Sequence, residues 1–403
     1  MVKRQLECCK KFESAFLCCM LLKGVTLLLG LAYAGILLYY RYGWFLAIRE
    51  NWLVNDMIKT KPVFVSVLVP ARNEAENIDA LLLSLLSQDY PADYFEIIVL
   101  DDASTDNTAD MVAKYAVRDA RVRLIQLRAD TGAAAHKKRA IEKGVAAANG
   151  TLIVCTDADC THPKKWITML AYAYRAGQNK FIAAPVVYRT RPNLLSVFET
   201  LDFMTLQGIT AASVSTGLHT MCNGANIAYE KKAFEEVGGF RGIDHLPTGD
   251  DMLLMYKIYQ RYPAGIAYLL HPQAVVHTAA AGSWRLFLHQ RIRWASKAAF
   301  YDDRRVFRIL LLVYLFNAWM LVLAVGAIWY SKLGIMFLAC ILAKTVFELF
   351  FLLPVSHFFK KQVWMVWFPL LQPIHIIYTL LAGWLGRFGS YEWKGRIIKN
   401  KNS

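Results

Sequence analysis

The chain has 403 residues, of which 56% are hydrophobic and 19% are charged. This length allows one sizeable α/β domain together with several membrane-crossing helices, and the composition argues against a purely soluble protein. The 46 Lys and Arg residues exceed the 31 Asp and Glu residues, and the formal net charge of +15 favours anionic lipids or anionic substrates as partners. Nucleic acid is not expected, because the basic residues are scattered along the chain.

The first apolar stretch covers residues 24–40 and is long enough to cross a membrane. A cleaved secretory signal is the alternative interpretation. The apolar region is too long for one, however, and no clear small-residue cleavage site follows it. We therefore expect an uncleaved anchor, with residues 1–60 forming the anchor and its juxtamembrane segment.

Between residues 62 and 182, short β-branched runs alternate with helical patterns, which is typical of βαβ units around a parallel sheet. The runs predicted to be strands are residues 63–69, 95–100, 122–127 and 151–156. Polar residues follow each of them. Ligands of open α/β sheets bind outside the carboxyl ends of the strands, so these polar residues are the candidates for a site. We expect the α/β domain to cover residues 61–304.

The last part of the chain, residues 305–403, contains three more apolar stretches, at 309–330, 333–355 and 363–388, followed by a basic tail. Lys344 and Glu348 lie one helical turn apart in the second stretch, which predicts a structural charge pair, with a transport pathway as the bolder alternative. Pro369 and Pro373 interrupt the third stretch, so we predict that it is interfacial or re-entrant.

The orientation of the chain in the membrane does not follow from its charges alone. Basic residues flank the first apolar stretch on both sides, so counting positive charges gives no orientation there. At the other end, the basic tail favours a C-terminus inside the cell. Three full C-terminal crossings would forbid that if the α/β domain is cytosolic, whereas an interfacial third stretch would allow it.

Two polar motifs follow the first two predicted strands. The first is Pro70-Ala71-Arg72-Asn73-Glu74, and the second begins at Asp101-Asp102 and ends at Asp106. Their carboxylates and amides could hold a nucleoside by accepting hydrogen bonds from ring N–H groups and sugar hydroxyls. Helix capping is the alternative, because Asn73, Ser104 and Asp106 are also good N-cap residues.

The fourth predicted strand ends in Asp157-Ala158-Asp159, a pair of carboxylates in an otherwise apolar or small run. Hard oxygen ligands suit Mg²⁺ or Mn²⁺ bridging a diphosphate. A solvated loop is the alternative, and the strand context argues against it. Lys137 belongs to a basic group, Lys137 to Arg139, that could offset phosphate charge or could simply face solvent.

Two further elements lie nearer the C-terminus. Asp250 and Asp251 precede an apolar helical pattern, where a carboxylate could act as a general base or as a helix cap. The run Gln290-Arg291-Ile292-Arg293-Trp294 places aromatic and basic residues before the next apolar stretch and by itself is typical of an interfacial anchor.

Together these motifs resemble the family 2 glycosyltransferases, particularly the membrane-bound group that includes cellulose, hyaluronan and chitin synthases and ceramide glucosyltransferase. The resemblance covers residues 62–294. It implies a Rossmann-like fold of the GT-A type between N- and C-terminal transmembrane helices. It also implies an inverting transfer of a sugar from a nucleotide-sugar, most often a UDP-sugar, to a lipid or glycan acceptor.

The resemblance also implies roles for individual residues. VPARNE and DDASTD are similar to the nucleotide-binding strand ends. HKKRAI gives Lys137 a donor-binding role, although His136 replaces the usual glycine. TDAD is similar to the DxD motif, in which Asp157 faces the donor and Asp159 binds Mg²⁺ or Mn²⁺, so both form the expected metal site. The donor-binding set is Pro70, Arg72, Asn73, Glu74, Asp102, Lys137, Asp157 and Asp159.

On the acceptor side, NGANIAY resembles the acceptor loop, and QRIRW fits the QxxRW motif. The expected acceptor-binding set is Gly224, Ala225, Asn226, Gln290, Arg293 and Trp294. GDD resembles the family's Glu-Asp pair, so Asp251 is the expected base, and Asp250 stands in place of the usual glutamate.

Two alternatives to a single-transfer enzyme stay open at this point. One is a processive polysaccharide synthase, which would need a channel that few membrane helices could build. The other is a non-catalytic membrane scaffold, which is disfavoured because the scattered carboxylates all remain. A multi-pass protein of a plasma or bacterial inner membrane, with its catalytic domain facing the cytoplasm, is the expected setting.

Overall fold

The computed structural model describes residues 2–51, 61–128, 135–246, 249–296, 303–388, 390–393 and 396–399. The expected boundary between anchor and catalytic domain, at residue 60, lies outside these ranges.

A mostly parallel sheet forms the centre of the molecule. Within the described ranges it has seven strands in the order β3-β2-β1-β4-β7-β5-β8. These strands are β1 (Val65–Ala71), β2 (Phe95–Asp101), β3 (Val122–Gln126), β4 (Leu152–Cys155), β5 (Phe181–Ala183), β7 (Ile227–Glu230) and β8 (Ile266–Tyr268). The first four are parallel, and β7 runs antiparallel to both β4 and β5. The predicted α/β fold is confirmed, with strand ends shifted by one or two residues.

Helices cover both faces of this sheet. They are α2 (Ile78–Leu86), α3 (Thr108–Arg118), α4 (His136–Ala147), α5 (Trp166–Gly177), α6 (Leu194–Ser215), α7 (Lys231–Glu236) and α8 (Met252–Arg261). Strands β1 and β2 are buried on both faces, which explains why they read as continuous apolar runs. Helix α4 lies close to the sheet at Gly144, where a Cβ atom would come within 2.8 Å of Leu100.

Two smaller pairs of strands complete the sheet structure that is described. Strand β6 (Val186–Tyr188) lies parallel to β9 (Val276–Thr278), and the hairpin β10 (Ser390–Trp393) with β11 (Arg396–Lys399) follows near the C-terminus. Residue Thr161, just after β4, pairs with His277 of β9. The β6–β9 pair is thereby attached to the loop that follows β4. Helix α9 (Trp284–Ser296) begins six residues after β9.

Four helices in the described part of the chain are long and apolar enough to cross a membrane. They are α1 (Val2–Asn51), α10 (Arg304–Gly326), α11 (Ser331–Phe358) and α12 (Phe368–Phe388), and α12 is preceded by a 3₁₀ turn at Gln362–Trp367. The apolar part of α1 is Met20–Glu50. These positions match the four apolar stretches predicted from the sequence.

Helices α1, α10 and α11 form a bundle, and close contacts join one end of it to the α/β domain. At Gly43 of α1, a Cβ atom would lie 2.5 Å from the Ala212 carbonyl oxygen of α6. At Gly208 of α6, it would lie 2.9 Å from Val355 of α11. The small residues Gly43 and Gly208 thus let α6 pack directly against two long apolar helices. Helix α6 therefore connects the bundle to the sheet.

The charge pair predicted in the second C-terminal stretch is present. Lys344 Nζ lies 2.7 Å from Glu348 Oε1 and 2.6 Å from Gln372 Oε1 of α12. Gln372 donates to the other Glu348 oxygen at 2.5 Å, and the Tyr33 hydroxyl of α1 donates to Glu348. The pair therefore joins α1, α11 and α12, and its buried polar groups form hydrogen bonds with one another.

Candidate active site

The loops after β1 and β2 are fastened to each other. Arg72 donates to the Asp102 carbonyl oxygen at 2.6 Å, and its guanidinium lies 3.6 Å from the Asp102 carboxylate. Asn73 has a left-handed φ of 53°, and its side-chain oxygen accepts a hydrogen bond from the Thr105 N–H at 2.8 Å. The Asn73 N–H donates to Ser104 Oγ at 2.9 Å. The two sequence motifs therefore form one surface at the carboxyl edge of the sheet.

The residue of this surface that comes nearest to a helix cap is Asp106, although the N-cap of α3 is Asn107. Asp106 Oδ1 accepts from the Thr108 N–H at 3.0 Å, at the beginning of α3. Glu74 is tied to the same helix, because its N–H donates to Thr108 Oγ1 at 2.8 Å. Pro70 lies within β1 opposite Leu100 of β2. Asn73 and Ser104 thus connect the loops. Asp106 contacts the helix and also connects the loops, because its Oδ2 accepts from the Ala75 N–H at 3.1 Å.

Helix α4 brings two basic residues to this edge. His136, its first residue, places Nδ1 3.6 Å from Asp102 Oδ1. The next residue, Lys137, directs its Nζ atom to Asp157 Oδ1 at 2.8 Å and to Asp250 Oδ2 at 3.2 Å. The first turn of α4 therefore links the loops after β1 and β2 to the carboxylates after β4 and before α8.

Electrostatics keep Lys137 charged. Burial alone would lower the pKa of this ammonium group, but Asp157 and Asp250 outweigh that effect and raise the pKa well above its usual value. About a quarter of the side chain is still exposed, at 23%. Lys137 is thus a fixed positive charge with an open side, placed between two carboxylates.

Asp251 is held by backbone donors. It is the N-cap of α8, where its Oδ1 accepts from the Met252 N–H at 2.8 Å, and its Oδ2 accepts from the Gly224 N–H at 3.1 Å. The residue is buried, at 9% exposure. The two backbone N–H groups thus fix the direction of the Asp251 side chain. The sequence left two roles open for Asp251, a general base and a helix cap. The cap is present, and it does not prevent the same carboxylate from acting as a base.

Gly224 lies at the centre of this group. A Cβ atom there would come within 3.3 Å of Lys137 Nζ, 3.4 Å of Asp251 Cβ and 3.5 Å of Asp250 Oδ2. Glycine leaves room for the three side chains to converge. We call Lys137, Asp157, Asp250, Asp251 and Gly224 the carboxylate cluster.

Asp159 completes the pair after β4 in a more buried setting than Asp157. Its Oδ2 atom accepts from Thr278 Oγ1 of β9 at 3.0 Å. Burial and then the neighbouring Asp157 charge raise the pKa of Asp159, although the Thr278 hydrogen bond opposes this. A cation placed against the two carboxylates would relieve their repulsion.

The donor set fits Mg²⁺ or Mn²⁺. These ions are usually bound through one or two protein carboxylates, with substrate phosphates and water supplying the remaining ligands. Among the residues described, no group of three or more His, Cys, Asp or Glu side chains could hold a metal ion by itself. Asp157 and Asp159 would therefore share such an ion with a bound diphosphate.

Asn226 and Ala225 lie below the surface of the predicted acceptor loop. Asn226 is fully buried: its oxygen accepts from Trp166 Nε1 at 2.9 Å, and its amide donates to the carbonyls of Pro185 and Ala274, both at 2.8 Å. Ala225 is 4% exposed. The amide of Asn226 is thus used within the protein, where it orders the loop that carries Gly224.

The QxxRW residues lie on α9, next to the β6–β9 pair. Gln290 accepts from the Tyr188 hydroxyl of β6 at 3.2 Å, and Trp294 stacks near Phe203 with ring centroids 5.9 Å apart. Arg293 is partly exposed. Since β9 also carries Thr278, which holds Asp159, α9 is connected to the DxD loop through one pair of strands.

Several residues of the site carry no sequence signal. His162 hydrogen-bonds Thr156 at 2.8 Å and Ser84 at 3.0 Å, and so fixes the loop after β4. Thr278 is 119 residues from its partner Asp159. Such pairings come from distant segments of the chain, and only an alignment of co-varying positions could have indicated them.

Comparison with known proteins shows a family match in part of the chain. Residues 66–238 match the model of glycosyl transferase family 2. The matched range begins in β1 and ends just after α7, so it includes the loops after β1 and β2, the first turn of α4, the DxD pair and Gly224.

Two curated relatives match over a similar region. The probable glycosyltransferase YdaM of Bacillus subtilis is 28% identical over 239 residues, which are 57% of this chain and 54% of YdaM. The poly-beta-1,6-N-acetyl-D-glucosamine synthase of Staphylococcus epidermidis is 23% identical over 239 residues, which are 57% of this chain and 53% of the synthase. The chain thus spans about half the length of the curated relatives that it matches.

A solved structure supports the fold. The mannosyltransferase PcManGT from Pyrobaculum calidifontis, determined with GDP-Man and Mn²⁺, superposes with a TM-score of 0.51 at 20% identity, covering 88% of this chain and 99% of PcManGT. At this identity the likeness shows the fold. The expected GT-A architecture is thereby confirmed.

Proposed function

We propose that this chain, whose residues 66–238 form a glycosyl transferase family 2 domain, is a membrane-bound inverting glycosyltransferase that uses a nucleotide-sugar, in the first instance a UDP-sugar. The observation that carries the proposal is the carboxylate cluster. One fixed cation and three carboxylates converge around a glycine at the carboxyl edge of the sheet.

The donor is placed along that edge. We assign the base and ribose to the joined loops after β1 and β2, where Asn73, Glu74 and Asp102 offer acceptors. The diphosphate then lies between Lys137 and the DxD pair. Lys137 is already charged and partly exposed, so it can exchange one carboxylate contact for a phosphate oxygen.

The DxD pair holds the expected cofactor. When bound, Mg²⁺ or Mn²⁺ would supply positive charge opposite the diphosphate. Asp157 is the more exposed carboxylate, and its present partner is Lys137, whereas Asp159 is oriented by Thr278. Thr278 therefore acts as the residue that fixes the direction of Asp159.

The transfer itself is a single displacement. An acceptor hydroxyl gives its proton to Asp251 while its oxygen forms a bond to the anomeric carbon, and the bond between that carbon and the diphosphate oxygen breaks. The leaving electron pair stays on the nucleoside diphosphate, next to Lys137 and, in this proposal, Arg293. Asp251 is oriented for this by two backbone N–H groups, and Gly224 leaves the space beside it.

The acceptor is expected at the membrane side, where α9 contributes Gln290, Arg293 and Trp294. A lipid or glycolipid acceptor suits this position, because α9 packs against α12. Single or limited transfer is favoured over processive synthesis, since the four long apolar helices in the described ranges are few to enclose a polymer. A ladder of long products on a gel would contradict this part of the proposal.

Contacts at both ends of α12 support an interfacial position for this helix. Seven residues before α12, ahead of the 3₁₀ turn, Lys361 Nζ donates to Thr190 Oγ1 of the α/β domain at 2.8 Å. Near the end of α12, a Cβ atom on Gly386 would lie 2.7 Å from Ala295 of α9. The segment from Lys361 to Gly386 thus begins and ends against the same part of the protein, which favours an interfacial or re-entrant segment over a full crossing. We therefore propose three crossings, α1, α10 and α11, with the catalytic domain and the C-terminus on the cytoplasmic side.

The test is nucleotide release by purified protein in detergent or lipid, with a panel of UDP- and GDP-sugars, Mn²⁺ or Mg²⁺, and added membrane lipid extract. We expect release from one donor that depends on the metal and is lost in Asp159→Ala. Asp93→Ala, at an exposed aspartate just before β2 and away from the carboxyl edge of the sheet, is the matched control and should retain release.

The alternative outcomes are equally informative. Release that continues in EDTA and in Asp159→Ala would remove the metal from the proposal while leaving a transferase. Absence of release with every donor, from protein that is folded by circular dichroism, would contradict the enzymatic proposal and favour a non-catalytic membrane scaffold.

A further inference from the structure

A buried ion pair lies directly behind the QxxRW helix. Arg291 of α9 and Asp202 of α6 are each 4% exposed in their side chains, and Arg291 Nε lies 2.7 Å from Asp202 Oδ2. Burial alone would lower the pKa of Arg291, but the Asp202 carboxylate outweighs it and raises the pKa. The pair is therefore a fixed, charged contact between two helices that are 89 residues apart in the sequence.

Arg291 also touches two of the QxxRW side chains. Its Nη1 donates to Gln290 Oε1 at 2.8 Å, and its guanidinium lies 4.2 Å from the centre of the Trp294 ring. Gln290 accepts a second hydrogen bond, from Tyr188. A planar guanidinium can form a hydrogen bond in its plane and stack on an aromatic face at the same time, and an ammonium group cannot.

Asp202 has a second partner, on α12. The Tyr378 hydroxyl donates to its other carboxylate oxygen, and the Tyr378 ring packs at right angles to Phe198 and Phe287, at 5.5 and 5.3 Å. Phe287 in turn lies 4.6 Å below the Arg291 guanidinium. Both oxygens of Asp202 are thus occupied, one by the QxxRW helix and one by the helix proposed to lie at the membrane interface.

We propose that Asp202, Arg291 and Tyr378 form a positioning network that sets Gln290 and Trp294 for the acceptor according to how α12 is seated. This rests on the proposed transferase function. None of the three is assigned a contact with donor or acceptor. Their effect passes through Arg291 to the two side chains that it holds.

The network has a conservative test in Tyr378→Phe, which removes one hydroxyl and keeps the ring packing. We expect the acceptor-dependent kcat/KM, measured with total membrane lipid extract in mixed micelles, to fall about 10-fold, because small displacements of positioning groups have effects of this size. Donor affinity should stay within about twofold, since the nucleoside loops and Lys137 lie away from the network. Arg291→Lys keeps the charge but loses the planar contacts of the guanidinium. It should likewise lower the kcat/KM for the acceptor and leave donor affinity nearly unchanged.

The matched control is Tyr33→Phe. Tyr33 also donates its hydroxyl to a buried carboxylate, Glu348. The other partners of Glu348 are Lys344 and, on α12, Gln372, and neither of them is a member of the network. We expect this variant to keep the wild-type kcat/KM for the acceptor while losing some thermal stability. A general loosening of the protein would affect both variants, whereas a positioning role affects only Tyr378→Phe.

Hydrogen exchange supplies a readout that does not depend on activity. In Tyr378→Phe, the amides of α9 should exchange faster than in the wild type, and those of α8 should not change. If the wild type transfers sugar and Tyr378→Phe matches Tyr33→Phe in both kinetics and exchange, the network is overturned. Faster exchange with unchanged transfer also overturns it, because α9 would then be loosened without consequence.

The exchange measurement also separates the two proposals. If the wild type releases no nucleotide from any donor, the transferase function fails. In that case faster exchange confined to α9 still supports the link from Tyr378 to α9, and unchanged exchange overturns it.

Discussion

Two lysines with carboxylate partners occupy contrasting places in this molecule. Lys137 lies between Asp157 and Asp250, its side chain is 23% exposed, and Asp157 is 39% exposed. Lys344 lies against Glu348 and Gln372 in the helical bundle, where its side chain is 0% exposed and that of Glu348 is 9% exposed. Both lysines thus have carboxylate partners, but solvent reaches Lys137 and does not reach Lys344.

This difference separates a site from a structural contact. The Lys344 group is closed, because each of its polar partners is used by another member, including the Tyr33 hydroxyl. An ion pair of this kind holds helices together and has no surface for a ligand. The Lys137 group has an open side, so a diphosphate can replace one carboxylate contact. Access, more than charge, therefore distinguishes the two.

The largest effect is expected at Asp251, in the open cluster. Asp251→Asn should lower the rate of sugar transfer by about 10² to 10⁴-fold, because an amide cannot accept the proton of the acceptor hydroxyl. Donor affinity should change little, and this is measured by titration with the donor identified from nucleotide release. Asp244→Asn, in the exposed loop before it, is the control and should transfer normally. Undiminished transfer by Asp251→Asn would exclude Asp251 as the base.

The two lysines should respond in opposite ways to the same substitution. Lys344→Met leaves Glu348 buried without its cation and should lower the free energy of unfolding by about 3 to 5 kcal/mol, as for other broken buried pairs. Lys137→Met should instead weaken donor binding with a smaller change in stability. Thermal unfolding in detergent and donor titration measure the two effects.

A double variant sharpens this contrast. Lys344→Met with Glu348→Gln removes both charges and keeps an acceptor for the Tyr33 hydroxyl, so it should recover part of the lost stability. If Lys344→Met lowers donor affinity as strongly as Lys137→Met does, the Lys344 group is not purely structural, and a transport or substrate pathway through the bundle becomes the better interpretation.

The smallest effect concerns the support under the DxD loop. Burial, and then the nearby His277, lower the pKa of His162 from 6.5 to about 3. Between these values the unfolded chain binds a proton that the folded protein does not, so His162 makes stability fall as the pH falls from 6.5 towards 3. The slope from this one group is about 1.4 kcal/mol per pH unit.

The measurement is the free energy of unfolding between pH 6.5 and 5 in detergent. His162→Gln should show a shallower decline than the wild type. His245→Gln, at an exposed histidine, should keep the wild-type slope. An equal slope in His162→Gln would mean that His162 does not remain neutral in the folded protein.

Some parts of the site were readable from the sequence because strand ends and motifs are local. A buried parallel strand is a short apolar run, and the residues just after it must lie at the carboxyl edge of the sheet. Asn73, Asp102 and Asp157 were located in this way, and the structure places all three at one edge. The motif resemblance added Lys137 and Asp251, which lie within hydrogen-bonding distance of other members of the cluster or its loop.

Other parts depended on contacts between distant segments. Asn226 belongs to a recognisable motif, yet its amide is consumed by Trp166, Pro185 and Ala274, which no spacing could indicate. The position of α12 is similar: its length and hydropathy suit a crossing, while its contacts with Asp202 and Ala295 favour the interface.

The sequence by itself determined the α/β class, the four apolar helices, the strand-end carboxylates and the Lys344–Glu348 pair, because each depends on neighbours within a few residues or on one helical turn. The tertiary structure alone decided which carboxylates share Lys137, which backbone groups orient Asp251, and how Arg291 joins α6 and α12. Apart from the Met252 N–H beside Asp251, those contacts join chain segments that are 20 to 176 residues apart, whose approach is set by the packing of the whole sheet and bundle.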